Sequence, residues 1–167
     1  MSQNSTNGKA SDDTMVPPLT VRAQYTKDLS FENPHIIEML TTLRELPHIA
    51  VDVHVESRSL GGDDVEVLLN LTVDAESAGK RLFLVELTYG GIFQVAAGVP
   101  EESVEPLLLI ECPRLLFPFA RQIIADVTRE GGVPPVLLNP IDFVGLYHQR
   151  LPQAGEKQQT ESIPGKN

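Results

Sequence analysis

Residues 64 to 89 read DVEVLLNLTVDAESAGKRLFLVELTY, two runs of alternating apolar and polar side chains joined by a short segment containing Ala78 and Gly79. Side chains on a strand point to opposite faces in turn, so a period of two marks a strand with one apolar face. A short connector rich in turn formers folds two such strands into an antiparallel hairpin. The same alternation appears upstream in VRAQYTKDLSFE (residues 21–32) and IAVDVHVE (49–56), and SRSLGGDD (57–64) supplies the turn of a second hairpin. The first two runs are separated by NPHIIEMLTTLRELPH (33–48), which is too long for a hairpin, apolar for a loop, and carries Pro34 and Pro47. It is read as a crossover. These features predict a four-stranded, mostly antiparallel sheet with a long crossover after the first strand.

Beyond residue 100 the period changes. EESVEPLLLIE (101–111) reads as a short helix, and a longer one opens at Pro113, with Leu116, Phe119, Ala120, Ile123 and Val127 at three- and four-residue spacing and Gly131-Gly132 as its cap. Pro118 removes a backbone hydrogen bond within it, which predicts a kink. Leu115, Phe117 and Ile124 widen the apolar stripe beyond the needs of one packing surface. Leu115, Leu116, Phe119, Ile123 and Ile124 are therefore expected at an oligomer interface. Asn139-Pro140 opens a last helix, IDFVGLYHQRL, with Ile141, Val144, Tyr147 and Leu151 on one face. The fold class is α+β, with the helices packed on one face of the sheet. Residues 1–17 and 152–167 are polar and poor in large apolar groups, so they are expected to be mobile tails around one folded domain, 18–151.

With 167 residues and 41% hydrophobic content, the chain suits a single domain. Its 13 Lys+Arg against 23 Asp+Glu, a formal charge of −10, argue against nucleic-acid or anionic-membrane binding, both of which need clustered bases. The start MSQNSTNGKASDD has no apolar core behind basic residues, and no segment reaches the roughly 18 to 20 apolar residues of a membrane span. Cys112 is the only cysteine, so no internal disulfide forms. A cytoplasmic protein is expected. Chemistry is sparse: Cys112 has no neighbouring base, Asp52 and His54 have no third ligand at a familiar spacing, and Gly79-Lys80-Arg81 lacks the rest of a phosphate loop. No catalytic site, metal or cofactor is expected.

Strand registration turns composition into surface. With Val21, Tyr25, Leu29 and Phe31 inward on the first strand, the outer face collects Asp28, Glu32, Asp52, Glu56, Glu66, Asp74 and Glu86 against Arg22 alone. Leu68 and Leu84 stand among these carboxylates. Apolar residues set among like charges suit docking of a basic, partly apolar partner.

The runs YTKDLSFENPH (25–35), LTYGGIF (87–93) and CPRLLFPFAR (112–121), in this order and at these spacings, closely resemble the bacterial export chaperone family SecB over roughly residues 20 to 150. The resemblance implies a homotetramer, a dimer of dimers, that holds unfolded precursor polypeptides without ATP and delivers them to the translocase motor SecA. It implies SecA contacts at Asp28, Glu32, Leu84 and Glu86, all of which the alternation also places outward. A holdase needs adaptable apolar surface, and a client groove is expected between the crossover (Ile36, Ile37, Met39, Leu40, Leu43, Leu46) and the last helix (Phe143, Leu146, Tyr147). The crossover is aliphatic, where such chaperones commonly carry an aromatic residue, and the chain has no Trp. The alternative is a non-catalytic binding module or adaptor of the same fold, for example one associated with a toxin–antitoxin pair, that presents the acidic face to one fixed partner.

Overall fold

The computed structural model describes the backbone of residues 17–42 and 47–157. Four strands, β1 (Leu19–Glu32), β2 (His48–Gly61), β3 (Asp64–Ser77) and β4 (Lys80–Val95), form one antiparallel sheet in the order β1-β4-β3-β2. The β2–β3 turn uses Gly61 and Gly62 at φ 101 and 61, and the β3–β4 turn uses Ala78 and Gly79 at φ 50 and 74. These left-handed conformations match the twist of the flanking strands. The chain leaves β1 at one edge and re-enters as β2 at the other, so the crossover traverses the full width of the sheet. Its helix α1 (Ile36–Thr42) is moored to the β3–β4 turn: Lys80 Nζ lies 2.8 Å from Glu38, and His35 Nδ1 donates to the Arg81 carbonyl at 2.9 Å.

The predicted alternation holds closely in the middle of the sheet. Val67, Leu69, Leu71, Val73 and Ala75 of β3 and Phe83, Val85, Leu87 and Phe93 of β4 are all within 2% of complete burial. Apart from Ala75, each such side chain contributes about 1.5–3 kcal/mol by leaving water. In the GGIF run each glycine answers a separate steric demand. A Cβ on Gly90 would meet the Tyr25 ring at 2.8 Å on the outer face, and one on Gly91 would meet Phe93 at 2.6 Å and Leu116 at 2.9 Å on the inner face. The bare backbone lets the covering helix approach and lets Tyr25 lie flat across β4.

On β1 the structure corrects the expected phase. Register shifts between Val21 and Ala23, and between Thr26 and Asp28, insert one extra residue at each point and invert the intervening segment. Tyr25 consequently faces outward, opposite Gly90, and Thr26 inward, opposite Tyr89. Asp28, Ser30 and Glu32 return to the outer face and Leu29 and Phe31 to the inner, as expected.

The short helix and the longer one expected after residue 100 are continuous with each other. α2 (Glu101–Pro106) passes through a π-helical turn (Leu107–Glu111) into α3 (Cys112–Glu130). The change of hydrogen-bond spacing falls just before Pro113, whose missing N–H would leave a gap in a regular ladder. Leu116, Ala120 and Ile124 of α3 are fully buried against the sheet. α3 ends at Gly131, with Gly132 at φ 85. α4 (Phe143–Lys157) is capped by Asp142, whose Oδ1 accepts the Gly145 N–H at 3.0 Å, and not by Asn139. It continues to Lys157, so residues 152–157 of the expected C-terminal tail are helical. Leu43, Leu46 and the remaining tail residues, 1–16 and 158–167, lie outside the described residues.

Candidate functional site: an acidic face and an apolar groove

The β1–β4 pairing assembles the expected outward residues into one patch. Glu32 lies opposite Leu84, Ser30 opposite Glu86 and Asp28 opposite Thr88, and the Ser30 hydroxyl donates to Glu86 at 3.4 Å. Directly opposed side chains on a sheet are neighbours. Among the described residues, Asp28, Glu32 and Glu86 have no cation within ion-pair distance, and Leu84 is half-buried between them.

The rest of that face is less acidic than the alternation implied. Arg81 pairs with Asp74 through Nε at 3.0 Å and Nη2 at 2.7 Å. The bulge at Lys27 swings its ammonium onto the outer face, 3.1 Å from Glu66, while Arg58 on β2 reaches Glu66 at 2.8 Å and the Tyr25 hydroxyl donates to it as well. Glu66 is 5% exposed. Its carboxyl is held below the usual range first by the Tyr25 hydrogen bond, with Lys27 and Arg58 adding to it against the cost of burial. Tyr25 is pushed up to about 12, by burial and then by Glu66. Arg22 is therefore one of four bases on the face, and the open negative charge is concentrated at the Glu32–Leu84 end.

The inner face carries the groove. A depression of about 730 Å³ is lined by Met39 and Leu40 of α1, Ile49 and Val51 of β2, Phe83 of β4, and the strap of residues 132–139. No lining side chain is charged. Leu40, Leu137 and Ile37 are 64%, 65% and 73% exposed, so aliphatic side chains lie open at and beside the groove. A second depression, about 200 Å³, follows along β2: Val53 and Val55 form its floor with Leu109, and Leu146, Tyr147 and Arg150 of α4 line it. Arg150 donates to the Val55 carbonyl at 2.7 Å. The crossover and the last helix thus do not face each other across one groove; each covers a different half of the same β2 row. Phe143, expected in the groove, is 2% exposed and packs edge-on against Phe117 at 6.1 Å, inside the core. The strap was missed from sequence because Val133-Pro134-Pro135-Val136 has neither strand nor helix period; its apolar content was the available signal.

Of the residues expected at an oligomer interface, Leu115 and Phe119 are 44% and 51% exposed. Leu116 and Ile124 are fully buried by this chain's own sheet and belong to the core, and Ile123 is half-buried. Phe119 stacks on Tyr89 at 6.3 Å, and the Tyr89 hydroxyl reaches Gln24 of β1 at 3.4 Å, next to the exposed inward residues Val21 and Leu29. Cys112 is buried, and burial followed by the nearby Glu111 pushes its thiol up to about 12, which favours the protonated form. Among the described residues no cluster of side chains suits a metal ion, and no helix is long and apolar enough to cross a membrane.

The family model for preprotein translocase subunit SecB matches residues 12–154. Protein-export protein SecB of Rhodopseudomonas palustris (strain TIE-1) is 48% identical over 155 residues, covering 92% of this chain and 98% of its own length. The protein of the same name from Agrobacterium fabrum is 47% identical over 148 residues, covering 89% and 92%. Among solved structures, a SecB-like chaperone of Mycobacterium tuberculosis in complex with a ChAD peptide from an antitoxin superposes with a TM-score of 0.57 at 12% identity, over 74% of this chain and 91% of that one, and so shares its fold. The three sequence motifs, the β1-β4-β3-β2 sheet with its helices on one face, and identity near one residue in two along almost the whole chain lead to one assignment: the chain belongs to the SecB family.

Proposed function

We propose that this chain is a protein-export chaperone that holds unfolded precursor segments along β2 without nucleotide and hands them to the motor SecA through the acidic end of the outer face. The observation that supports this reading best is the placement of two unlike surfaces on opposite faces of one sheet. An uncharged groove on the inner face suits extended apolar segments of many sequences. The unpaired Asp28, Glu32 and Glu86 around Leu84 suit a basic, partly apolar partner that docks while the groove stays occupied. The uncovered Leu115, Phe119, Val21 and Leu29 suit a second copy of the chain, and assembly to a tetramer multiplies grooves. A long client that spans several of them gains avidity from effective concentration even where each contact is weak.

The test is aggregation of unrelated unfolded precursors with and without this protein, in the absence of ATP, together with calorimetric titration of SecA. Suppression of aggregation for several clients and one saturable SecA site support the reading. An adaptor for one fixed partner would instead bind one sequence tightly and leave the other clients to aggregate.

A further inference from the structure

One wall of the apolar groove is the strap 132–139, which has no regular secondary structure of its own. Pro134 and Pro135 have no N–H to offer. Among the described residues, both hydrogen bonds that reach the strap's backbone between Val133 and Asn139 end on Thr128 of α3. The Val133 N–H donates to the Thr128 carbonyl at 3.2 Å, and the Val136 N–H donates to Thr128 Oγ1 at 3.0 Å. Thr128 is fully buried, and its hydroxyl donates back along its own helix to the Ile124 carbonyl, with Oγ1 2.8 Å from that oxygen, which leaves a lone pair free for Val136.

A hydroxyl in the apolar interior costs free energy unless it is satisfied, and a valine would fill the same space. The hydroxyl's distinct contribution here is as an acceptor for the strap. Val133, Val136 and Leu138 are anchored in the core at 5%, 8% and 5% exposure, whereas Leu137, between two of them, is 65% exposed at the groove rim. The position of Leu137 therefore follows from where Val136 is held.

We propose that Thr128 is a positioning residue for client binding: its hydroxyl and carbonyl set the height of the strap, and so the width of the groove that receives uncharged extended segments. This rests on the reading of the groove as the client site. Loss of the Val136 bond leaves Val133 tethered to the Thr128 carbonyl and frees the segment beyond it, which carries Leu137 at the rim.

The experiment uses the full chain and a fluorescently labelled peptide of leucine, valine and serine residues. In the wild type the Val136 amide should exchange hydrogen at least about tenfold more slowly than an unstructured amide. Thr128→Val should abolish that protection and, by displacing the Leu137 rim, weaken peptide binding about five- to tenfold. Thr128→Ser, which keeps the acceptor, should retain both properties within about twofold. Leu137→Ala, which tests the groove itself, should weaken binding with the Val136 amide still protected. Rapid Val136 exchange in the wild type overturns the proposal even where Thr128→Val does not fold. So does wild-type peptide affinity in Thr128→Val while Leu137→Ala binds poorly. If Leu137→Ala binds as the wild type does, the groove reading itself has failed, and the proposal with it.

Discussion

The inner face of the sheet has two kinds of strand built from the same alternating pattern. On the central strands β3 and β4, Leu69, Leu71, Val85 and Leu87 are no more than 2% exposed; on the outer strands, Val21 and Leu29 of β1 are each 41% exposed, and Ile49 and Val51 of β2 are 40% and 45% exposed. Alternation alone does not distinguish them. The difference is cover: α3 packs over β3 and β4, whereas β1 and β2 extend beyond it. Central apolar residues stabilise this chain, and the flanking ones remain available to something else, a second copy on the β1 side and a client on the β2 side in the reading proposed above.

Substitutions should separate these roles. Leu69→Ala, in the covered centre, is expected to lower unfolding free energy by about 2–5 kcal/mol, measured by urea denaturation. A cost below 1 kcal/mol would show that the centre is not a rigid core. Glu66→Gln should cost about 1–3 kcal/mol by weakening the anchorage of Tyr25, Lys27 and Arg58. Because Glu66 titrates lower in the folded chain than in the unfolded chain, its stabilisation is present above the unfolded carboxyl value of about 4.3 and is lost as pH falls through the folded value. The wild type should therefore lose more stability between neutral and acidic pH than Glu66→Gln, and parallel pH curves would remove Glu66 from that role.

Glu86→Lys and Asp28→Lys should weaken SecA docking by about 1–3 kcal/mol, and more at low salt, because an attraction becomes a repulsion. Aggregation suppression should persist, since the groove lies on the other face. Unchanged motor affinity by calorimetry in both variants would refute the docking assignment. Phe119→Glu should reduce the native mass seen by light scattering, and an unaltered mass would leave the β1 flank without a partner copy. The smallest effect on stability is expected at Val51→Ser, within about 0.5 kcal/mol, with a clear loss of client binding; the reverse pattern would make β2 an ordinary core strand.

Much of this arrangement was legible in the chain because strand alternation and turn chemistry are local. The hairpins at Gly61-Gly62 and Ala78-Gly79 follow from a few residues each, and the outward direction of Asp28, Glu32, Leu84 and Glu86 follows from alternation, but the long-range pairing of β1 with β4 is what brings these four together. The inversion of Tyr25 was not legible. A bulge depends on what the neighbouring strand offers, here the bare surface of Gly90 and the carboxylate of Glu66, which lies 41 residues away. For the same reason Lys27 and Arg58 were missed as partners of Glu66. Leu116 and Leu115 are adjacent and equally apolar, and the tertiary packing of α3 decides that one is core and the other open. The strap escaped notice because its shape is imposed by Thr128 and by prolines, without any period of its own.

The strand order also fixes a schedule. β1 emerges first from the ribosome, yet its partner is β4, with Leu19 opposite Val95, so it waits through the synthesis of every other strand. β2, β3 and β4 can close as local hairpins, whereas the β1–β4 ladder requires the longest loop closure in the sheet, the kind of contact that slows folding. The crossover cannot lie across the sheet until that ladder forms, and with it come the α1 side of the groove and the Asp28–Glu86 patch. In the reading proposed above, a nascent or truncated chain that has made its hairpins would still lack both the groove wall and the acidic patch. On that reading both surfaces depend on the least local contact in the sheet, the pairing of β1 with β4.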